Sequence, residues 1–485
     1  ISYELHIGSF TDDGTYAAAI ERLDELVDLG ITAIELMPLA QCGGRWNWGY
    51  DGVHLFAPQH TLGRPEELRD LIAAAHARGM AVILDVVYNH FGPEGNYLHD
   101  FGGYVSEKHR TPWGDAPNFD DEGSEFTRAW ILENVRYWIE DFHFDGLRLD
   151  AVHCIADESK PHIAHEIGAY VDELRSRLQR EIHLIAESNV FDANLLAPLA
   201  RGGCQMSALW CDDFLHSVFA QFRPGEHRSS REYTPHDDLE LALTRGYVFE
   251  STFLAPQIRV PRETQPDRID LETLVCSIQH HDFIGNHPDG LRLHQLTSPE
   301  AQRAAAALLL LSPSIPMLFM GEEFASDSPF LFFVDFDEEN LRQAVENGRR
   351  AEHPQHDWSK VVSPTSPAAF IKSKIGPTAA GDPVTRQWYH DLIRLRKQWR
   401  ASGLLRTENL TASWEASTHT ARLRYRNNTD EAQVIVRLNP VEAKGRTIEI
   451  DSPSRVILSQ IFQVPSTNPP YFNLAEWGVL VTEAA

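Results

Sequence analysis

Eight short apolar segments run through the first 400 residues, and stretches of helical periodicity separate them. Tyr3–Ile7, Ile31–Met37, Ala81–Val87, Gly146–Asp150, His183–Glu187, Ala208–Trp210, Leu274–Gln279 and Ile315–Phe319 read as strands. Helical spacing of Ala and Leu fills Tyr16–Leu29 up to Gly30, Pro65–Arg78 up to Gly79, Thr127–Phe142, roughly Pro161–Arg180 and Arg386–Arg400. Ala81-Val-Ile-Leu-Asp-Val-Val87 is continuously apolar apart from Asp85, as a parallel strand covered on both faces should be. Alternation of this kind predicts an α/β fold, and eight repeats in one run predict a (β/α)8 barrel.

Two stretches depart from the alternation. Residues 88–125 form a long glycine-rich excursion after the third strand, expected to be a loop subdomain. Beyond about residue 401 the texture changes. Ala421–Arg426 and Ala432–Leu438 alternate with period two between Asn427-Asn428 and Asn439-Pro440, and Thr447–Ile450 and Arg455–Leu458 follow. We therefore expect residues 1–400 to be the barrel and 401–485 a C-terminal antiparallel β domain with sandwich packing.

Polar groups recur where the buried strands end: Asp85 to His90, Arg148 with Asp150, Glu187, and His281 with Asp282. Buried charges need partners, and in a barrel these four places converge on the C-terminal face. Several carboxylates around one groove suit glycoside hydrolysis, with a nucleophile, a general acid/base and a third group that supports the oxocarbenium-like charge. Glu187 follows Leu184-Ile-Ala186, and apolar surroundings raise a carboxyl pKa. Trp46, Trp48, Tyr50, Tyr88 and Trp113 lie on the loops, where aromatic faces could stack on sugar rings. Asp85, Asn89 and Asp150 are the alternative ligands for a hard cation. The chain has no HExxH, no Asp-rich loop and no Cys/His cluster at ligand spacing, so neither a catalytic metal nor a cofactor is expected.

Composition limits the partners. Seventy acidic against 43 basic residues give a net charge of −27, which repels phosphate backbones and argues against nucleic acid. Prolines 313 and 316 interrupt the most apolar stretch, Ala304–Met320, which reads as a buried helix, a turn and a strand and not as a membrane span. The five cysteines (42, 154, 204, 211, 276) are odd in number and lack CxxC spacing, which favours a reducing, cytoplasmic setting.

Asp85-Val-Val-Tyr-Asn-His90, Gly146-Leu-Arg-Leu-Asp-Ala-Val-His153, Ile185-Ala-Glu187 and His281-Asp282 occur in that order. They resemble the four signature regions of the alpha-amylase superfamily of retaining glycoside hydrolases. The resemblance implies Asp150 as nucleophile, Glu187 as acid/base and Asp282 as transition-state stabiliser. It also implies sugar contacts from Tyr50, His90, Arg148 and His281.

Tyr3–Phe10, Glu35–Pro38, Asn47–Gly52, His109–Asp115, Trp210–Phe214, Pro316–Glu323 and Pro329–Phe333 are similar to segments of the malto-oligosyltrehalose trehalohydrolase family. That likeness implies hydrolysis of the α-1,4 bond next to a terminal trehalose, release of trehalose, and functional pairing with a malto-oligosyltrehalose synthase. Glucan-branching enzymes share several of the motifs and are the alternative; a non-catalytic carbohydrate-binding relative is a remote one. The family carries an N-terminal β domain, which this sequence, opening at Ile1, is expected to lack. Trp48, His153 and Asp213 are further expected substrate contacts, with Asp157, Asp212 and Phe283 considered for the trehalose unit.

The fourth region departs from the family pattern. His280 stands for asparagine, Phe283 for glutamine and His287 for arginine, and Glu187 is followed by Ser188-Asn189 where acidic residues are expected. Loss of hydrogen-bonding groups beside Asp282 is expected to relax the preference for trehalose over glucose.

Overall fold

The computed structural model describes residues 1–226, 228–235, 237–250, 258–259, 269–438, 447–449, 454–463 and 471–484. The predicted Asn439-Pro440 turn and Ile450 lie outside these residues. Eight strands close into a barrel: β1 (Ser2–Leu5), β2 (Ala33–Leu36), β3 (Ala81–Val86), β4 (Gly146–Leu149), β5 (His183–Glu187), β6 (Ala208–Trp210), β7 (Leu274–Cys276) and β8 (Ile315–Phe319). Each strand pairs in parallel with its sequence neighbours, and β8 pairs with β1.

All eight predicted strands are present, several of them shorter than read. β1 stops at Leu5 because His6 opens a helical turn, Ile7–Phe10, with its ring against Ser9 Oγ and the Asn47 carbonyl at 3.0 Å each. β7 ends at Cys276, opposite Pro316, which has no N–H to extend the ladder. The helix read over Tyr16–Leu29 is two pieces, Tyr16–Ile20 and Leu23–Leu29. At the break Arg22 Nη1 donates to the Phe10 carbonyl at 2.8 Å. Gly30 ends the second piece at φ 104°, a backbone region that favours glycine.

Strand alternation sorts the side chains. Ile83, Ile185, Ala208, Trp210, Val275 and Met317 form one small cluster, which fills the barrel. Leu84, Leu147, Leu149, Leu184 and Leu209 belong to the larger core between strands and helices. Asp85, Arg148 and Glu187 lie two residues beyond Ile83, Gly146 and Ile185, so they share the inward face at the C-terminal ends. Asp85 is in register with Arg148, and Glu187 with Trp210.

The excursion after β3 holds a short helix, Leu98–Phe101, and an antiparallel pair, Val105–Arg110 with Asp115–Pro117. A second excursion between β6 and β7, absent from the sequence reading, carries helices Asp213–Phe222 and Asp237–Thr244. The apolar stretch near residue 310 resolves into helix Pro299–Leu310, a turn and β8. Among the described residues no helix is long and apolar enough to cross a membrane.

Helix Pro383–Ala401 leads to the C-terminal strands β9 (Leu410–Glu415), β10 (Thr420–Arg426), β11 (Glu431–Arg437), β12 (Thr447–Glu449), β13 (Ser454–Gln463) and β14 (Tyr471–Ala484). They belong to one antiparallel sheet of order β9-β10-β11-β14-β12, with β13 also on β14. Among the described residues the long β14 pairs with three partners, β11, β12 and β13. Tyr425 Oη donates to the Leu311 carbonyl at 2.6 Å, and Trp399 Nε1 to Glu483 at 2.8 Å, fastening the sheet to the barrel.

Candidate active site

Arg148 is the hub of the inward-facing charges. Its Nη1 donates to both oxygens of Asp85 at 2.9 and 2.8 Å and to Asp150 Oδ1 at 2.8 Å. Its Nη2 lies 3.6 Å from Glu187 Oε2, and its Cζ stands 4.3 Å over the Trp210 ring. Burial disfavours the cation, yet Asp85, Tyr50, Glu187 and Asp150 outweigh it and hold the guanidinium well above its ordinary pKa. Asn89 Nδ2 donates to Asp150 Oδ2 at 2.6 Å and to the Asp150 carbonyl at 2.9 Å. Ala151, in the left-handed region at φ 39°, aims its N–H at Glu187 Oε2.

Burial pushes Glu187 up to about 8. Arg148 opposes the rise, while Asp150, Asp282 and Asp212 add to it. Two neighbouring carboxyls therefore sit in different states of need: one hydrogen-bonded by an arginine and an asparagine, the other tending to keep its proton at neutral pH. Asp282 opens the short helix His281–Gly285 and is 45% exposed, with Oδ1 accepting from Asn286 Nδ2 at 3.0 Å.

A second chain of contacts orients His281. Glu4 accepts from its backbone N–H at 3.1 Å and pairs with its ring Nδ1. Its Nε2 is 2.8 Å from Tyr50 Oη, which donates to Asp85 at 2.6 Å. Tyr50 also stacks on the His281 ring at 5.1 Å. Burial alone would lower His281, but Glu4 and Asp282 raise it to about 9.

The structure thus brings together Asp150, Glu187, Asp282, Arg148, His281 and Tyr50. His90 joins them through Asn89, to whose side chain its Nδ1 is bonded. His153 lies on the turn after β4, its Nδ1 buried without a hydrogen bond, and burial lowers it to about 4.

Other expected contacts fall elsewhere. Trp48 is 2% exposed, stacked on Phe330 and edge-on to His281, with Nε1 on the Leu331 carbonyl; it backs His281 and presents no open face. Tyr88 is buried on Asn134, whereas Trp113 is half exposed, 5.6 Å from His90. Asp213 is fully buried and accepts from Tyr233 Oη, Val248 N and Phe249 N, so its carboxylate pins the second excursion. Asp212, its neighbour, is the one beside the cleft, bonded to Trp210 Nε1 at 3.0 Å and His280 Nε2 at 3.2 Å. Asp157 is engaged by Arg128, Ser159 and the Ile163 N–H. Phe283 is buried, its ring 5.0 Å from that of Phe219.

Sequence reasoning missed Glu4 and Glu35. Both are acids inside apolar strands, the same signal that marked Arg148. Glu35 is buried with neither carboxyl oxygen hydrogen-bonded, and burial raises it to about 8.

A family model for the alpha amylase catalytic domain matches residues 7–113. A 1.4 Å crystal structure from Salmonella typhimurium, provisionally assigned as an alpha amylase, superposes with a TM-score of 0.84 at 32% identity. That superposition covers 100% of this chain and 82% of the other. The barrel and its strand-end carboxyls define a glycoside hydrolase of the alpha-amylase type. The malto-oligosyltrehalose trehalohydrolase of Saccharolobus solfataricus is 42% identical over 400 residues, 82% of this chain and 69% of the relative. The protein of that name from Arthrobacter ramosus is 40% identical over 404 residues, 82% and 70% of the two chains. The chain belongs to the malto-oligosyltrehalose trehalohydrolase family.

Proposed function

We propose that this chain hydrolyses the α-1,4-glucosidic bond next to the terminal trehalose of malto-oligosyltrehalose, with retention, and releases trehalose. Glu187 protonates the glycosidic oxygen while Asp150 attacks the anomeric carbon; water then displaces the enzyme carboxylate with Glu187 as base. Asp282 supports the oxocarbenium-like charge. Tyr50, His90, Arg148 and His281 hold the sugar at the cleavage point, with His153 and Asp212 beyond it. The observation that carries this reading is the Arg148 guanidinium, which binds Asp150 and lies beside a Glu187 raised to about 8.

The substrate carries a trehalose end, so a malto-oligosyltrehalose synthase is the proposed supplier. All five cysteines are free thiols, in keeping with a cytoplasmic setting. Product analysis with maltotriosyltrehalose tests the reaction. Trehalose plus maltotriose, absent with Glu187→Gln, is the expected result. Branched or transferred products would replace hydrolysis with glucan transfer, and glucose and maltose without trehalose would replace the specificity.

A further inference from the structure

Among the described residues one group of three side chains is spaced to hold a metal ion: His287, Asp289 and His356. Each offers a nitrogen or oxygen within 4.8 Å of the others. His356 Nε2 is 3.2 Å from Asp289 Oδ1, and His287 Nδ1 is 3.9 Å from Asp289 Oδ2. The rings of His287 and His356 are perpendicular with centroids 5.4 Å apart, and the ring of His353 lies 5.7 Å from that of His287.

We propose that His287, Asp289 and His356 form a binding site for a borderline first-row dication, zinc above all, which ties the loop after Asp282 to the loop after helix Glu339–Glu352. Two imidazoles and a carboxylate are a donor set that zinc accepts, with a fourth position left for water. Around a tetrahedral zinc the ligand atoms stand roughly 3.3 Å apart, given bonds of roughly 2 Å. The His356–Asp289 pair is already at that spacing, and a small rotation of His287 brings in the third ligand.

The Asp289 N–H lies 3.4 Å from His287 Nδ1, so ligation through that nitrogen exchanges this hydrogen bond for the metal. Arg228 pairs with Glu226 at 3.2 Å and Arg349 with Glu352 at 2.6 Å. A His–Asp ion pair alone would use only His356 and Asp289. It gives no reason for a second, partly exposed histidine at the same carboxylate, at a position where the resembling family carries a permanently charged arginine.

The test is calorimetric titration of the purified, chelator-treated chain with ZnCl2 near pH 7.5, repeated with CoCl2 by visible absorption, since ligation is pH-dependent. One zinc equivalent and the intense visible bands of four-coordinate cobalt are expected. His356→Ala and Asp289→Asn should each weaken binding by about tenfold or more, the scale of losing one group at a metal site. His390→Ala, at a half-exposed histidine elsewhere, should change nothing. Circular dichroism melts of metal-free variants check that they fold. Absence of stoichiometric binding, or binding that survives both substitutions, would overturn the proposal.

Discussion

Glu4 and His281 are 277 residues apart and form a buried pair in which one carboxylate takes both the backbone N–H and the ring Nδ1 of the histidine. Burial lowers the histidine, Glu4 and Asp282 more than compensate, and its pKa stands at about 9 against an ordinary 6.5. A histidine raised on folding stabilises fully below its unfolded value, and the contribution fades as pH climbs through the folded one. Thermal midpoints of wild type and Glu4→Gln should therefore differ most below about pH 6.5 and converge towards pH 9. A difference constant across that range would sink the assignment.

Glu187, pushed up mainly by burial to about 8, should set the alkaline limb of kcat/KM, because a general acid must hold its proton. Activity is expected to fall above about pH 8 with an oligosaccharide substrate. A glycosyl fluoride, whose leaving group needs no proton, should lose that limb. If both substrates keep the same limb, another group is titrating.

Arg148 is 1% exposed and contacts three carboxylates. Arg148→Met leaves those acids unpaired, so a loss of about 3–5 kcal/mol in urea unfolding is expected. Arg148→Lys should not restore activity, since one ammonium cannot reproduce a planar fork. Full rescue by lysine would reduce the role to bulk charge.

Gly146 opens β4 where a Cβ would lie 2.3 Å from the His183 carbonyl and 2.9 Å from Ile83 Cδ1. Gly146→Ala should cost about 1–3 kcal/mol by overpacking. It should also lower turnover by shifting Arg148, two residues on. An unchanged denaturation midpoint would contradict the contact.

The substitutions near Asp282 bear on specificity. His280 is bonded to Asp212 and Phe283 is turned into the core, so neither position offers the amide that the family pattern has. The ratio of kcat/KM for maltotriosyltrehalose over maltopentaose is expected to stay within about tenfold, since unmatched polar groups are what enforce larger discrimination. A hundredfold ratio or more would mean that Asp212 and His280 supply the missing contacts.

The barrel was legible because its evidence is local. Ala81–Val87 and Ile315–Phe319 are apolar runs that only a strand covered on both faces accommodates, and Gly30 and Gly79 mark where helices must stop. Arg148, Asp150 and Glu187 were legible too, as charges at the ends of such runs. Adjacent acids look alike in sequence: Asp212 is bonded to Trp210 and His280, while Asp213 turns into the second excursion, where three donors meet it.

What the sequence determined by itself was therefore the order and type of the elements and the identity of the charges at their ends, since both follow from periodicity and from the cost of burying a charge. Tertiary structure alone decided which charges meet. Barrel closure brings Glu4 of β1 onto His281 after β7 and sets Trp210 of β6 beneath Arg148 of β4. It also buries Trp48 behind His281 and gathers His287, Asp289 and His356 from two loops. Such pairings depend on register and on which face each strand turns inward, and these are settled only when all eight strands share one closed set of hydrogen bonds.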